Sequence, residues 1–264
     1  MPIDDVSVIK GEKYAYCCVD NLSEQLKEII RDELNIICYG KRRVEGDDLS
    51  FYSYKETIKE FLVRYERKTP KIQVGMIGEL LTHILIARVF PKLEAISIYF
   101  NKEERSIKKG FDLNYLGEDK KSIWYGEVKS GELQLQTVDA KNVSLLKKAT
   151  SDLSDKLRSG RRSLWESAII DVALSIAANK EKSVADILKN DLMALQQQQS
   201  IARNGVLVSV LFHDTGSKVS HKTIEAITEE TLAVAEFSDI ILFSIQKSTF
   251  AKVVDFLKEE AQDD

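Results

Sequence analysis

SIWYGEVK, residues 122–129, has the pattern of a β-strand that begins with apolar residues and ends with two charges. Because strand side chains alternate between the two faces of a sheet, Tyr125, Glu127 and Lys129 point to the same face. The carboxylate and the ammonium therefore cannot be divided between core and solvent. Both need partners, since an unpaired buried charge is costly. We expect the end of this strand to lie against other charged groups.

Four further segments predict strands around this one. Residues 95–100 and 109–116 precede it, and the Gly-Glu-Asp-Lys sequence at 117–120 is typical of a hairpin connection. Residues 205–212 are almost continuously apolar, as expected for a strand buried on both faces, and 239–245 follow as another strand.

Apolar residues at helical spacing and capping signals predict the helices. In chain order they are a helix capped within residues 20–24 that ends near Ile37, then 54–65, 74–89, a helix with Leu145, Ala149, Leu153 and Leu157 at successive i+4 positions, 163–178, 183–199, 223–235 and a terminal helix through about Glu259. Residues 13–19 add a short strand, 40–48 are polar and predict a loop, and Pro70 marks a break.

The order of these elements predicts an α/β fold with a mixed central sheet flanked by helices. From about residue 74 the chain runs helix, three strands, helices and then strand–helix–strand. Residues 1–70 look like an α+β elaboration, and residues 71–264 like the main domain that carries the site.

Composition indicates a globular protein. Of its 264 residues, 44% are hydrophobic and 30% charged, and the net charge is −4. No uncharged apolar run approaches the roughly 18–20 residues of a membrane helix, and the N-terminus lacks a signal-peptide pattern. The three cysteines lack metal-ligand spacing, so we predict reduced, buried thiols in a cytoplasmic protein. Net acidity argues against a protein that holds nucleic acid by itself, because neutralising phosphates supplies most of the non-specific affinity.

The charged strand has a candidate metal-binding neighbour in Asp112, which lies in the preceding predicted strand. Asp112, Glu127 and the backbone carbonyl of Val128 offer the oxygen ligands that Mg²⁺ or Mn²⁺ prefers. Glu79, off the apolar stripe of the helix at 74–89, would complete the site directly or through water. Such a metal would polarise a scissile phosphate and lower the pKa of a bound water.

Lys129 is the expected catalytic ammonium beside this metal. It would orient the water, help to deprotonate it, or stabilise the charge of the pentavalent state. His83, one helical turn after Glu79, either approaches the site or is a hydrogen-bonded structural histidine, and the structural interpretation is favoured. The basic residues between 141 and 162 either flank a substrate groove or form a solvated helix face.

Each of these features also has an ordinary structural explanation. A Glu-x-Lys pair is most often an ion pair, Asp112 can be a turn residue, and Gly78-Glu79 can be an ordinary helix segment. Their joint order favours function: an acid on a helix, a strand, Gly-x-Asp on a strand, then a hairpin into Glu-x-Lys.

Glu79, Asp112 and residues 127–129 follow the order of the PD-(D/E)xK nuclease superfamily, which the chain therefore resembles. The surrounding residues resemble a narrower group, the HamA family, the nuclease components of the two-protein Hachiman anti-phage defence system. They are Gly78-Glu79-Leu80-Leu81, Lys109-Gly110-Phe111-Asp112 and Trp124-Tyr125-Gly126-Glu127-Val128-Lys129.

This resemblance implies a metal-dependent DNase with Glu79, Asp112, Glu127 and Lys129 as its active site. It also implies a complex with a superfamily-2 helicase, HamB, which restrains the nuclease until aberrant or invading DNA is sensed. Phe111 stands where the superfamily's name has proline, a common replacement. No Gln-x-x-x-Tyr element follows Lys129, which disfavours the RecB-like exonuclease branch.

Two alternatives remain open. A stand-alone restriction or repair endonuclease would need its own specificity domain, for which residues 1–70 look too small and insufficiently basic. A catalytically silent DNA clamp or scaffold subunit would typically have lost the lysine or an acid, and both are present here.

Overall fold

Seven strands form one sheet in a computed structural model that describes residues 3–46, 50–100, 110–199, 202–233 and 237–262. The spatial order is β1-β2-β7-β6-β5-β4-β3. The strands are Val6–Lys10 (β1), Tyr14–Val19 (β2), Glu94–Ala95 (β3), Leu113–Leu116 (β4), Ile123–Glu132 (β5), Arg203–Phe212 (β6) and Phe237–Lys247 (β7).

Nine α-helices and a 3-10 turn at Ser50–Tyr52 lie in the same described ranges. The helices are Glu24–Tyr39 (α1), Lys41–Gly46 (α2), Tyr54–Glu66 (α3), Pro70–Val89 (α4), Val138–Arg158 (α5), Arg162–Ser175 (α6), Ala178–Gln196 (α7), His221–Ala233 (α8) and Ala251–Gln262 (α9). The predicted mixed sheet flanked by helices is thus confirmed.

The sheet is parallel at its centre and antiparallel at both ends. β2, β7, β6 and β5 run parallel, while β1 is antiparallel to β2, and β4 is antiparallel to both β5 and β3. The predicted hairpin between β4 and β5 is present, closed by the Gly117 amide donating to the Ser122 carbonyl over 2.9 Å. The central β6 is buried along nearly its whole length, as its continuous apolar sequence predicts.

Helices cover both faces of the sheet, so each face has its own core. The first face packs against α1, α3, α4 and α9 and includes Val128 and Phe243. The second face packs against α5, α6, α7 and α8 and includes Tyr125 and Leu207. Alternation along β5 therefore places Glu127 and Lys129 on the second face, under α5.

Several segments differ from their predictions. Residues 41–46 were predicted as part of a loop but form α2. Gly40, with φ 91°, ends α1, and α2 begins at the next residue. β1 was not predicted. The strand predicted at 95–100 is wrong beyond Ala95: the amides of Tyr99 and Phe100 donate to the carbonyls of Ile37 and Cys38. Those bonds satisfy carbonyls that the end of α1 would otherwise leave unpaired.

Residues 1–70 contribute to the same sheet as the rest of the chain. β2 pairs with β7 in parallel from Tyr14 opposite Leu242 to Val19 opposite Lys247. The division of the chain at residue 70 stays a prediction.

The beginning of the predicted strand at Lys109 and the end of the predicted helix at 234–235 lie outside the described residues.

α4 is the most apolar helix of the structure. By length and composition it passes as a membrane span, and 61% of its span-like window is buried inside the fold, as in a core helix. The predicted buried thiols are confirmed, because Cys17, Cys18 and Cys38 are all free and buried. Burial raises the pKa of the Cys17 thiol to about 12, which keeps it protonated and unreactive at neutral pH.

Candidate active site

Glu127 and Lys129 share one face of β5, as alternation predicts. The Glu127 side chain is only 2% exposed, and the Lys129 Nζ donates to its Oε1 over 2.7 Å. Under the same face, Tyr125 is packed against Phe111 and Trp165. Tyr125 is therefore a core residue beneath the charged end of the strand.

Asp112 lies beside Glu127 at the start of the antiparallel pair. Leu113 is in register with Gly126, which brings the residue before β4 next to the residue after Gly126. The Asp112 Oδ2 accepts a hydrogen bond of 3.0 Å from the Val128 amide. This bond fixes one carboxylate oxygen to the backbone of β5 and leaves the other directed toward α5.

Two residues of α5 complete the charged cluster, and sequence reasoning did not single them out. Lys156 Nζ contacts Asp112 Oδ1 at 3.1 Å and Glu127 Oε2 at 2.5 Å. Asp152, one helical turn earlier, contacts Lys129 Nζ at 2.8 Å. The available signal was the basic stretch at 141–162, in which Lys156 lies between the predicted core positions 153 and 157.

Burial and neighbouring charges shift the protonation equilibria of the cluster in opposite directions. Burial and the charge of Asp112 raise the pKa of Glu127, and the two ammonium groups offset this only in part. For Lys129 and Lys156, burial lowers the pKa, but the nearby carboxylates outweigh it and the net pKa is raised. Both lysines are therefore cations in this arrangement. With three carboxylates and two ammonium groups, the fully ionised cluster carries one negative charge.

Glu79 does not join this cluster in the described part of the chain. It lies on α4, which packs against the first face of the sheet: a Cβ built on Gly78 would come within 1.9 Å of Ser130 Oγ. Its carboxylate adds to burial in raising the pKa of Tyr99 and of Tyr115, both on that side. The structure thus brings together Asp112, Glu127 and Lys129 and places Glu79 under the opposite face.

His83 also lies on the first face. Its side chain is buried, and its ring makes an edge contact with Tyr99 at a centroid distance of 5.9 Å. This position agrees with the structural interpretation of His83 and separates it from the cluster under α5.

The donor set of the cluster suits a hard divalent cation. Oxygens of Asp112 and Glu127 already converge on one positive group, the Lys156 ammonium, and the neighbouring residue Val128 carries a backbone carbonyl. Within the described ranges, no group of three or more His, Cys, Asp or Glu side chains is arranged to hold a metal ion. The cluster therefore offers a two-carboxylate site whose central position is held by an ammonium group.

Sequence comparison assigns the chain to a family. The HamA family model matches residues 3–261, nearly the whole chain. No curated protein matches the chain. The match extends beyond the motif-bearing segment at 78–129 and includes the strands and helices of both ends of the chain. The chain therefore belongs to the HamA family and is a component of a Hachiman anti-phage defence system.

Proposed function

We propose that this protein is the DNase effector of its defence complex and hydrolyses DNA phosphodiester bonds with Mg²⁺ or Mn²⁺. One observation carries the proposal: oxygens of Asp112 and Glu127 converge on a single cation, with the Lys129 ammonium 2.7 Å from Glu127. Two carboxylates can hold a divalent ion and an adjacent lysine can stabilise developing charge, and metal-dependent phosphodiester hydrolysis uses such groups.

The order and pairing of the elements around the cluster support this assignment. α4 is followed by the antiparallel strands β3, β4 and β5, then by α5, and β6 returns parallel to β5. The PD-(D/E)xK core, which the motifs resemble, likewise carries its acids on the hairpin strands. The proposal includes a domain of the PD-(D/E)xK type.

Asp112, Glu127 and the Val128 carbonyl would hold the divalent ion, and Glu79, which lies under the opposite face, would contribute from α4 through water. When bound, the ion supplies polarisation of the scissile phosphate and acidification of a water. Lys129 is held between Glu127 and Asp152, which keep it protonated. Of the three roles predicted for it, orienting the water and stabilising charge on the phosphate are favoured over accepting a proton.

In this proposal, Lys156 opposes binding of the divalent ion. Its ammonium bridges the two carboxylates that the ion would use, so ion binding requires Lys156 to leave at least one of them. Once displaced, the side chain remains on α5 next to the site, where a cation can contact a substrate phosphate.

A superfamily-2 helicase, HamB, is the proposed partner, and DNA in the cytoplasm the proposed substrate. The net charge of −4 supports this division of labour, because an acidic protein gains little affinity from the phosphate backbone. Delivery of DNA by a partner removes the need for a separate binding module in this chain.

The test is degradation of plasmid and linear DNA by the protein with and without its helicase and ATP, in Mg²⁺ or Mn²⁺. Lys129→Ala is expected to abolish cleavage while leaving helicase binding intact. Lys189→Ala, an exposed lysine of α7 in an ordinary ion pair, is the matched control and is expected to retain activity.

Equal cleavage by wild type and Lys129→Ala would overturn the proposed site. Cleavage without helicase that is unchanged when the helicase is added would favour the stand-alone endonuclease. Binding of helicase and DNA without cleavage under any of these conditions would favour a silent clamp.

A further inference from the structure

Lys247, the last residue of β7, is a buried cation with no hydrogen-bond partner for its Nζ among the described residues. Its exposed fraction is 0%. The apolar residues Val19 and Phe212 flank it on the neighbouring strands. The next residue, Ser248, also has a buried hydroxyl without a partner in the described structure. Two adjacent unsatisfied polar groups at one strand end require an explanation, because each such group normally costs stability.

The charged groups that face Lys247 do not neutralise it. Burial and, to a smaller extent, the nearby Lys252 lower its pKa to about 8, although Asp20 and Cys18 act in the opposite direction. Asp20 is itself engaged by Lys218 at 3.7 Å. The surroundings of Lys247 therefore disfavour its charge, and no described residue is a dedicated counter-ion for it.

The position of Lys247 in the topology is one where α/β sheets bind ligands. The connections from β2 and β7 lead to α1 and α9 on the first face, whereas those from β5 and β6 lead to α5 and α8 on the second face. The crossover direction therefore changes between β7 and β6, and a crevice opens at the carboxyl ends of such a pair of strands. Lys247 and Ser248 end one of these strands, and His213 follows the other, with its amide donating to the Lys247 carbonyl over 2.9 Å.

The N-terminus of α9 adds a second positive feature to the same place. α9 starts at Ala251, four residues after Lys247, and its first turn contains the exposed Lys252. The Ala251 amide already donates to Thr249 Oγ1 and the Val253 amide to the Phe250 carbonyl, each over 3.1 Å. This helix end therefore attracts an anion, and a phosphate group in particular, through the helix dipole and Lys252 rather than through those two amides. By alternation with Ile245, the Lys247 side chain points to the first face, which is the face that α9 covers.

We infer that the carboxyl ends of β6 and β7 form a binding site for a phosphate group, with Lys247 as its buried cation. The Ser248 hydroxyl would donate to the same phosphate, and the N-terminus of α9 would face it. Segment 248–250 is half-buried and Lys252 is exposed, so the site lies close to the surface. The phosphate belongs either to a free nucleotide or to the terminal phosphate of a DNA strand.

This site is distinct from the acidic cluster. Glu127 is in register with Leu207 and Leu242, so Lys247 lies five residues further along and two strands across. Strand geometry puts the two residues about 20 Å apart, and they face opposite sides of the sheet. The inference therefore does not depend on the proposed DNase chemistry.

The test is thermal denaturation and calorimetric titration of the full chain with inorganic phosphate, at constant ionic strength maintained with chloride. The melting temperature of wild type is expected to rise with phosphate concentration, and the calorimetric binding curve is expected to saturate. Lys247→Met is expected to bind phosphate on the order of tenfold more weakly, since it removes one charged hydrogen bond. Lys258→Met, a loss of the same charge at an exposed position of α9, is the matched control and is expected to respond like wild type.

Separate titrations identify the source of the phosphate. Tighter binding of a nucleoside monophosphate than of phosphate indicates a nucleotide, and tighter binding of a 5′-phosphorylated than of a 5′-hydroxyl oligonucleotide indicates a strand end. A wild-type protein with no saturable response to phosphate would overturn the inference without any variant, as would an equal response in Lys247→Met. If Lys247→Met does not fold, Lys247→Arg, which keeps the charge, must retain saturable binding.

Discussion

The Lys156 ammonium contacts the Glu127 carboxylate at 2.5 Å, although the two residues belong to different layers of the fold. The same ammonium reaches Asp112, so one cation from α5 neutralises both acids of the β4–β5 hairpin. A residue outside the sequence motif thus occupies the position that we propose for the metal ion.

Replacing Lys156 by Met is expected to lower stability in the absence of divalent ions by about 2 kcal/mol, because Asp112 and Glu127 then face each other without their shared cation. Addition of Mn²⁺ is expected to restore more stability to the variant than to wild type, since the ion no longer competes with the ammonium. Thermal denaturation in EDTA and in Mn²⁺ measures both effects.

Lys148→Met, on the exposed side of α5, is the control for the loss of one lysine from this helix. Equal Mn²⁺ responses in wild type, Lys156→Met and Lys148→Met would show that Lys156 does not compete for the ion position.

The two predicted groups of metal ligands should differ in their contribution. Asp112→Asn is expected to weaken Mn²⁺ binding by about tenfold or more, because Asp112 is fixed by the Val128 amide next to Glu127. Glu79→Gln is expected to weaken it less, since Glu79 approaches from the other face and its contribution can pass through water. Calorimetric titration with Mn²⁺ measures both, and a larger loss for Glu79→Gln would reverse this ranking.

The contact between α4 and β5 predicts opposite effects for two glycines of one helix. Gly78→Ala is expected to destabilise the fold by about 1–3 kcal/mol, because its Cβ would lie 1.9 Å from Ser130 Oγ and 2.8 Å from Ser130 Cβ. Gly75→Ala meets nothing within 4 Å and is expected to stabilise by about 0.5–1 kcal/mol through helix propensity. Urea denaturation of both variants compares them, and stabilisation by Gly78→Ala would contradict the close packing.

Because of the lowered pKa of Lys247, we expect the free energy of unfolding to increase as the pH is raised above about 8. Its pKa is about 8 in the folded protein and near 10.5 when unfolded, so between these values the unfolded chain binds more protons. Stability relative to Lys247→Met should therefore increase from about pH 8 to about pH 10.5, by roughly 3 kcal/mol in total. Denaturation of both proteins in phosphate-free buffer across this range measures the difference, and a difference independent of pH would show that Lys247 is not buried as a cation.

Local pattern was sufficient for the elements whose contacts are local or periodic. Alternation along β5 correctly places Glu127 and Lys129 together, and the Gly-containing connection correctly brings Asp112 to them. Lys156 could not be found this way, because its role depends on where α5 crosses the sheet. The sequence shows only that it stands beside two apolar core positions of a basic helix.

The errors also have physical causes. Residues 41–46 contain little apolar periodicity, so α2 has no sequence signal of its own and forms where Gly40 redirects the chain. Residues 96–100 are apolar and resemble a strand, but the amides of Tyr99 and Phe100 bind the end of α1. Burial explains why residues 96–100 are apolar, and an apolar composition does not distinguish a segment that pairs with a strand from one that pairs with a helix end.

The pairing of β2 with β7 also has a consequence for how the protein is made. β2 leaves the ribosome long before β7, its neighbour in the sheet. Until residues 237–247 have emerged, the inner edge of the β1–β2 hairpin has no partner, and contacts so distant in sequence favour slow folding. We expect nascent chains truncated before β7 to remain sensitive to protease in residues 6–19, and completed chains to be protected there.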